Sequence, residues 1–153
     1  MIIKNNDLPE GEALRTTARC DFETLAGSQV EGCSRIKPLD IDGCTERRGS
    51  LLIIEAKKMD ETIEPPQDMA LRALASKSGI IVLVVRITGE LTSVGNESFV
   101  PISYRRYPED AKDCSPIVRC TLSQFKSRYD DWLRAATDHD ERKMQEAWDK
   151  GEK

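Results

Sequence analysis

Three side chains near the middle of the 153-residue chain have the types and spacing to do chemistry: Asp42, Glu55 and Lys57. They fall on the two arms of a hairpin pattern. With Arg48 and Gly49 as the turn pair, Asp42 lies directly opposite Glu55, and Asp40 lies opposite Lys57. Directly opposed side chains share a face, with Cβ atoms roughly 4.5–5.5 Å apart. Two carboxylates held that close repel each other and cost stability. A divalent cation between them reverses the sign, and magnesium favours a couple of carboxylates completed by water and phosphate oxygens. Lys57, two residues past Glu55, points the same way and reaches a metal-bound phosphate or water. Asp40 shares the face of Asp42 and is the alternative ligand. The competing reading is cross-strand salt bridges at the end of a sheet in a plain α/β domain.

Periodicity supplies the elements that must hold these groups. Leu39-Asp40-Ile41-Asp42 alternates as a strand does, Arg47 to Ser50 forms the turn, and Gly49 accepts a positive φ. Leu51 to Ala56 is a nearly unbroken aliphatic run, the mark of a central strand covered on both faces. Pro65-Pro66 is expected to stop regular structure. Gln67 to Ser78 then has helical spacing, with Gly79 as its C-cap, and Ile80 to Ile87 is a second apolar strand. A strand, helix and strand in succession make a crossover, so the two apolar strands are expected to be parallel. Ser98 to Arg106 reads as an edge strand. Thr121 to Gln124 matches a capping box, and Leu122, Phe125, Tyr129 and Trp132 follow at helical spacing to about Ala136. A weaker helix pattern covers Glu10 to Arg19. The expected organisation is one domain over residues 1–137, then a charged tail or helix extension over 138–153.

Composition bounds the class. Charged residues are 33%, the hydrophobic set is 39% and aromatics are 5%, a globular balance with an aliphatic core. The longest apolar run, Gly79 to Val85, falls far short of the roughly 18 residues of a membrane span, so no membrane partner is expected. The N-terminus lacks the apolar region of a secretory signal, and five cysteines are an odd count, which fits a reducing cytoplasm. The cysteines form no C-x-x-C pair and the single histidine is His139, so buried or incidental thiols are favoured over zinc. A formal net charge of −4 argues, taken alone, against a nucleic-acid binder.

Asp42, twelve intervening residues, then Glu55-Ala56-Lys57 on an aliphatic strand resembles the PD-(D/E)XK nuclease superfamily. The wording LDIDG…RRGSLLIIEAKK, with Gln67 opening a helix in PPQDMALRAL, is similar to its small phage-type members, including those resembling Holliday-junction resolvases. The likeness spans about Pro38 to Ile87. It implies an α/β restriction-endonuclease-like core: a mixed central sheet, with an antiparallel hairpin plus a parallel crossover strand, flanked by helices. It implies that Asp42 and Glu55 bind magnesium or manganese together with the Ala56 carbonyl. Lys57 would orient the attacking water or stabilise charge on phosphate, and Gln67 would position water or the lysine. Glu12 would match an additional acid on the first helix. The reaction implied is metal-assisted hydrolysis of DNA phosphodiesters, by a cytoplasmic endonuclease (host cytoplasm if phage-encoded) that cuts particular DNA structures as a homodimer. The alternative is a nuclease fold with weak or no catalysis, used as a phage binding or regulatory module.

An acidic chain must bind DNA through local charge. The candidates are Arg47 and Arg48 at the hairpin tip, Lys58 after the motif, and Arg105 and Arg106 between Tyr104 and Tyr107. Tyr-Arg-Arg-Tyr could contact backbone and stack on an unpaired base, or could be the charged rim of an edge strand. Lys126, Arg128 and Arg134 read as helix surface.

Overall fold

The computed structural model describes residues 29, 31, 41–90, 93, 95, 98–107 and 116–149. The chain divides into two compact units, Met1–Asp40 with Glu90–Ser98, and Ile41–Gly89 with Phe99–Lys153. In the first unit, the Ser98 N–H donates to the Glu90 carbonyl at 2.7 Å. The helix expected over Glu10 to Arg19, with Glu12, and the residues Asp40, Cys20, Cys33 and Cys114 lie outside the described residues.

The second unit is built on a five-stranded mixed sheet in the order β1-β2-β3-β4-β5. Its strands are β1 (Gly43–Arg47), β2 (Ser50–Lys58), β3 (Ile80–Ile87), β4 (Pro101–Arg106) and β5 (Val118–Arg119). Its helices are α1 (Pro65–Ala75), α2 (Leu122–Thr137) and α3 (Glu141–Asp149). The β2–β3 pair is parallel and the other pairs are antiparallel, as the crossover requires. This is a restriction-endonuclease-like core, a mixed sheet with helices on both sides. Among the described residues, no helix is long and apolar enough to cross a membrane.

Alternation along β2 and β3 sends each strand into two cores. Leu52, Leu83, Val85 and Ile87 pack with Phe125, Trp132, Met144 and Trp148 beneath α2 and α3. Ile53, Val82 and Val84 pack with Leu71 and Ala75 of α1, and with Tyr107. The aliphatic runs are therefore buried from both sides, which is why they lack a polar face.

The hairpin closes with Arg48 and Gly49 as its turn pair, at φ 50° and 85°, and pairs Gly43 with Ile54 through Arg47 with Ser50. Positive φ at both central residues matches the strand twist of a tight hairpin. A Cβ on Gly49 would meet nothing within 4 Å, so its cost is conformational rather than steric. We expect Gly49→Ala to destabilise by about 1–2 kcal/mol, read as a lower urea midpoint with an unchanged slope.

Several expectations need correction. Pro65 and Pro66 do not stop structure; they open α1, where the first turn has no backbone N–H to lose. The helix ends at Ser76 rather than at a Gly79 cap. Gly79, at φ 76°, instead turns the chain into β3, and its carbonyl accepts from the Leu51 N–H at 2.8 Å. β4 is no edge strand, because the two-residue β5 covers it. The capping box at Thr121 and Gln124 forms in both directions. Beyond it, Arg128 is buried at 8% exposure with its guanidinium 5.4 Å from the Tyr104 ring centre, not on the helix surface. After α2 the chain turns at His139 (φ 53°) into α3, Glu141–Asp149.

Candidate active site

Alternation along β2 places Ile53, Glu55 and Lys57 on the face covered by α1. Glu55 and Lys57 stand near the carboxyl end of β2, beside the carboxyl end of the parallel β3, where open α/β sheets receive ligands. Glu55 is 5% exposed. Its Oε1 accepts from Gln67 Nε2 at 2.5 Å and lies 3.4 Å from Lys57 Nζ. Gln67 arrives there because the early start of α1 at Pro65 makes it part of the first helical turn.

Asp42 occupies the position next to Glu55 by a different device from full strand pairing. The ladder ends at Gly43 with Ile54, and Asp42 sits in a bend just before β1. Its Oδ2 accepts from the Ala56 N–H at 2.8 Å, so a carboxylate replaces the carbonyl that a longer β1 would have supplied. A residue in a strand directs its N–H and C=O to the same side, so the Ala56 carbonyl also points toward Asp42.

The electrostatics agree with this geometry. Burial raises the Glu55 carboxyl above its ordinary value, and the Asp42 charge raises it further, while Lys57 and Gln67 pull it down. Among the described residues, both partners of Glu55 meet Oε1, and Asp42 is met at Oδ2. One oxygen of each carboxylate remains, alongside the Ala56 carbonyl. An all-oxygen set of this kind suits a hard cation such as magnesium. Among the described residues, no group of three or more His, Cys, Asp or Glu side chains gathers, so water and phosphate oxygens would have to complete the shell.

The basic candidates separate. Arg47 Nε donates to Thr137 Oγ1 at 2.8 Å and Arg48 Nη1 donates to the Thr137 carbonyl at 3.2 Å, tying the hairpin tip to the end of α2. That tip lies roughly 17 Å along β2 from Glu55. Arg106 points to the α2–α3 face and forms a two-toothed pair with Asp149 at 2.9 and 3.2 Å. Lys58 alternates away from Lys57, and its N–H and carbonyl bind Glu61 and Arg86. Arg105 alone among the named arginines shares the face of Glu55, through the register Glu55–Val84–Arg105. Tyr104 and Tyr107 are not free to stack on a base. They are 1% and 4% exposed, with hydroxyls donating to the Trp148 carbonyl and to Asp68 Oδ1.

Sequence reasoning missed Arg86, which pairs with Lys57 across β2–β3 and whose Nη1 donates to the carbonyls of Lys58 and Glu61. Its signal was present: it is the charge that ends the apolar run of β3. Of the thiols, Cys44 is exposed and Cys120 buried.

The fold has a nuclease-like architecture: a restriction-endonuclease-like sheet, with Glu55 and Lys57 on β2 and Asp42 in the bend just before β1. No protein-family model, curated protein or solved structure matches the chain.

Proposed function

We propose that the chain is a divalent-metal-dependent nuclease that hydrolyses DNA phosphodiester bonds. The observation that carries this reading is the buried Glu55 carboxylate, held beside Asp42 although like charge raises its proton affinity. A protein gains nothing in stability from that juxtaposition, whereas a cation site requires it.

A bound magnesium or manganese would supply Lewis-acid polarisation of the phosphate and a water of lowered pKa. Asp42, Glu55 and the Ala56 carbonyl are the groups that would hold it. Gln67 fixes the Glu55 rotamer by its hydrogen bond. Lys57, held 3.4 Å from Glu55, keeps an ammonium on the substrate side to orient water or meet charge gathering on a phosphate oxygen. The site needs no thiol and no imidazole. A net charge of −4 leaves little long-range attraction for DNA, so selection by DNA shape accompanies this reading.

The test is cleavage of plasmid, single-stranded and branched DNA with magnesium, manganese or chelator. Cleavage is expected with metal only, and Lys57→Ala lowers its rate on the order of 10²-fold. Undiminished cleavage in chelator or in Lys57→Ala rejects the site. Failure to cut any substrate moves the assignment to a binding module on the same fold.

A further inference from the structure

Over β3 and β4, from Val84, the register partner of Glu55, lies a cleft of about 130 Å³ whose walls include Arg86, Arg105, Ser103, Tyr107, Ile63 and Ile117. Among the described residues, no carboxylate lines it. The register fixes its place: Lys57 pairs with Arg86 and Arg86 with Ser103, while Glu55 pairs with Val84 and Val84 with Arg105. Strands are spaced about 4.8 Å apart, so Arg86 stands one strand from Lys57 and Arg105 about 10 Å from Glu55, backbone to backbone. Three cationic side chains thus share one face of the sheet with Glu55.

The two arginines are held differently. Arg86 spends Nη1 on the carbonyls of Lys58 and Glu61, which pins the segment after β2. Arg105 Nε is buried and, among the described residues, has no hydrogen-bond partner. A buried charged donor left unsatisfied is costly, and an anion brought against the same guanidinium offsets part of that cost. The far wall is rigid, because the Tyr107 hydroxyl donates to Asp68 and the Arg72 guanidinium lies 5.4 Å from the Tyr107 ring centre. At about 130 Å³ the cleft has room for a phosphate group. Guanidinium groups match phosphate oxygens in shape and charge.

We propose that this cleft seats a backbone phosphate of the bound DNA strand, away from the bond to be cut, with the Arg105 guanidinium as its principal donor and Arg86 beside it. This rests on the nuclease reading of Asp42 and Glu55, and it specifies how that site grips its strand.

The experiment reads binding rather than cleavage, so a catalytically silent protein still decides it. A fluorescein-labelled single-stranded DNA oligonucleotide is titrated in EDTA at several salt concentrations. The proteins are wild type, Arg105→Met (which keeps the stem volume), Arg105→Lys (which keeps the charge) and the exposed α2 control Lys126→Met. Arg105→Met is expected to weaken binding roughly tenfold or more and to flatten the log–log salt slope by about 0.7. Arg105→Lys keeps the slope, and Lys126→Met changes neither. Wild-type affinity and slope in Arg105→Met would overturn the proposal. So would a loss of slope in Arg105→Lys equal to that in Arg105→Met. Inorganic phosphate at the oligonucleotide's concentration is expected to leave the melting temperature unchanged. A rise that Arg105→Met abolishes would assign the cleft to a free anion and overturn the strand assignment.

Discussion

Glu55→Gln lowers kcat/KM for DNA cleavage on the order of 10³-fold, about 4 kcal/mol of barrier, and at the same time raises the melting temperature of the metal-free protein. Both effects come from one carboxylate. The amide has nearly the same shape and still accepts from Gln67, so the packing beneath α1 is kept. What is lost is the charge that would hold a cation. What is gained is relief from burial and from the Asp42 charge, the two causes that raise the Glu55 carboxyl.

The sign with pH follows. An acid whose folded pKa lies above its unfolded value contributes stability at low pH, and loses it as pH rises through the folded value. Glu55 is such an acid, raised above 4.5. Wild type and Glu55→Gln therefore melt together where Glu55 is protonated, and the variant pulls ahead as pH rises past that point. Magnesium in solution closes the gap, because a cation that binds only the native state stabilises wild type, by about 2.7 kcal/mol at one hundred times its Kd. Melting curves with and without magnesium, across pH, check this without reference to cleavage. A variant less stable than wild type at neutral pH, or equally stabilised by magnesium, would remove Glu55 from the site.

The second large effect is on folding. Trp148→Ala costs about 3–5 kcal/mol and lowers the melting temperature by roughly 6–20 °C. Trp148 is 1% exposed, with ring centres 5.5 Å from Tyr104 and 5.1 Å from Phe125. Its carbonyl accepts from the Tyr104 hydroxyl at 2.6 Å. The same contact holds Tyr104 in a dry setting, where burial pushes its phenol up to about 12. The truncation leaves a cavity beneath β4, on the face of the sheet opposite Glu55. Calorimetry reads the loss directly. A change of under 1 kcal/mol would show that α3 is dispensable packing.

How far residues alone reach is clearest at the hairpin. The turn pair Arg48-Gly49 and the run after it predicted the register that the strands adopt, because a two-residue turn leaves one pairing that buries the aliphatic side chains on both faces. The parallel β2–β3 pair followed from chain connectivity, and Glu55 and Lys57 on one face followed from the pleat. Gln67 was brought in by resemblance, and its reach to Glu55 depends on a helix start at Pro65 that the double proline had seemed to forbid.

The basic side chains show the limit of such reasoning. Tyr-Arg-Arg-Tyr gives no hint that its two tyrosines enter opposite cores, or that Arg106 meets Asp149, distant in sequence. Arg128, helical and charged, offered no sign that it would be buried with its guanidinium over the Tyr104 ring of β4. Periodicity, turn chemistry and connectivity act within a few residues or between adjacent elements, so the sequence by itself determined the hairpin, the crossover and the face that carries Glu55. Which cations stand beside that carboxylate depended on β4 joining β3 and on α2 and α3 closing the other face. Those contacts arise between segments far apart in the chain, and only the tertiary structure decided them.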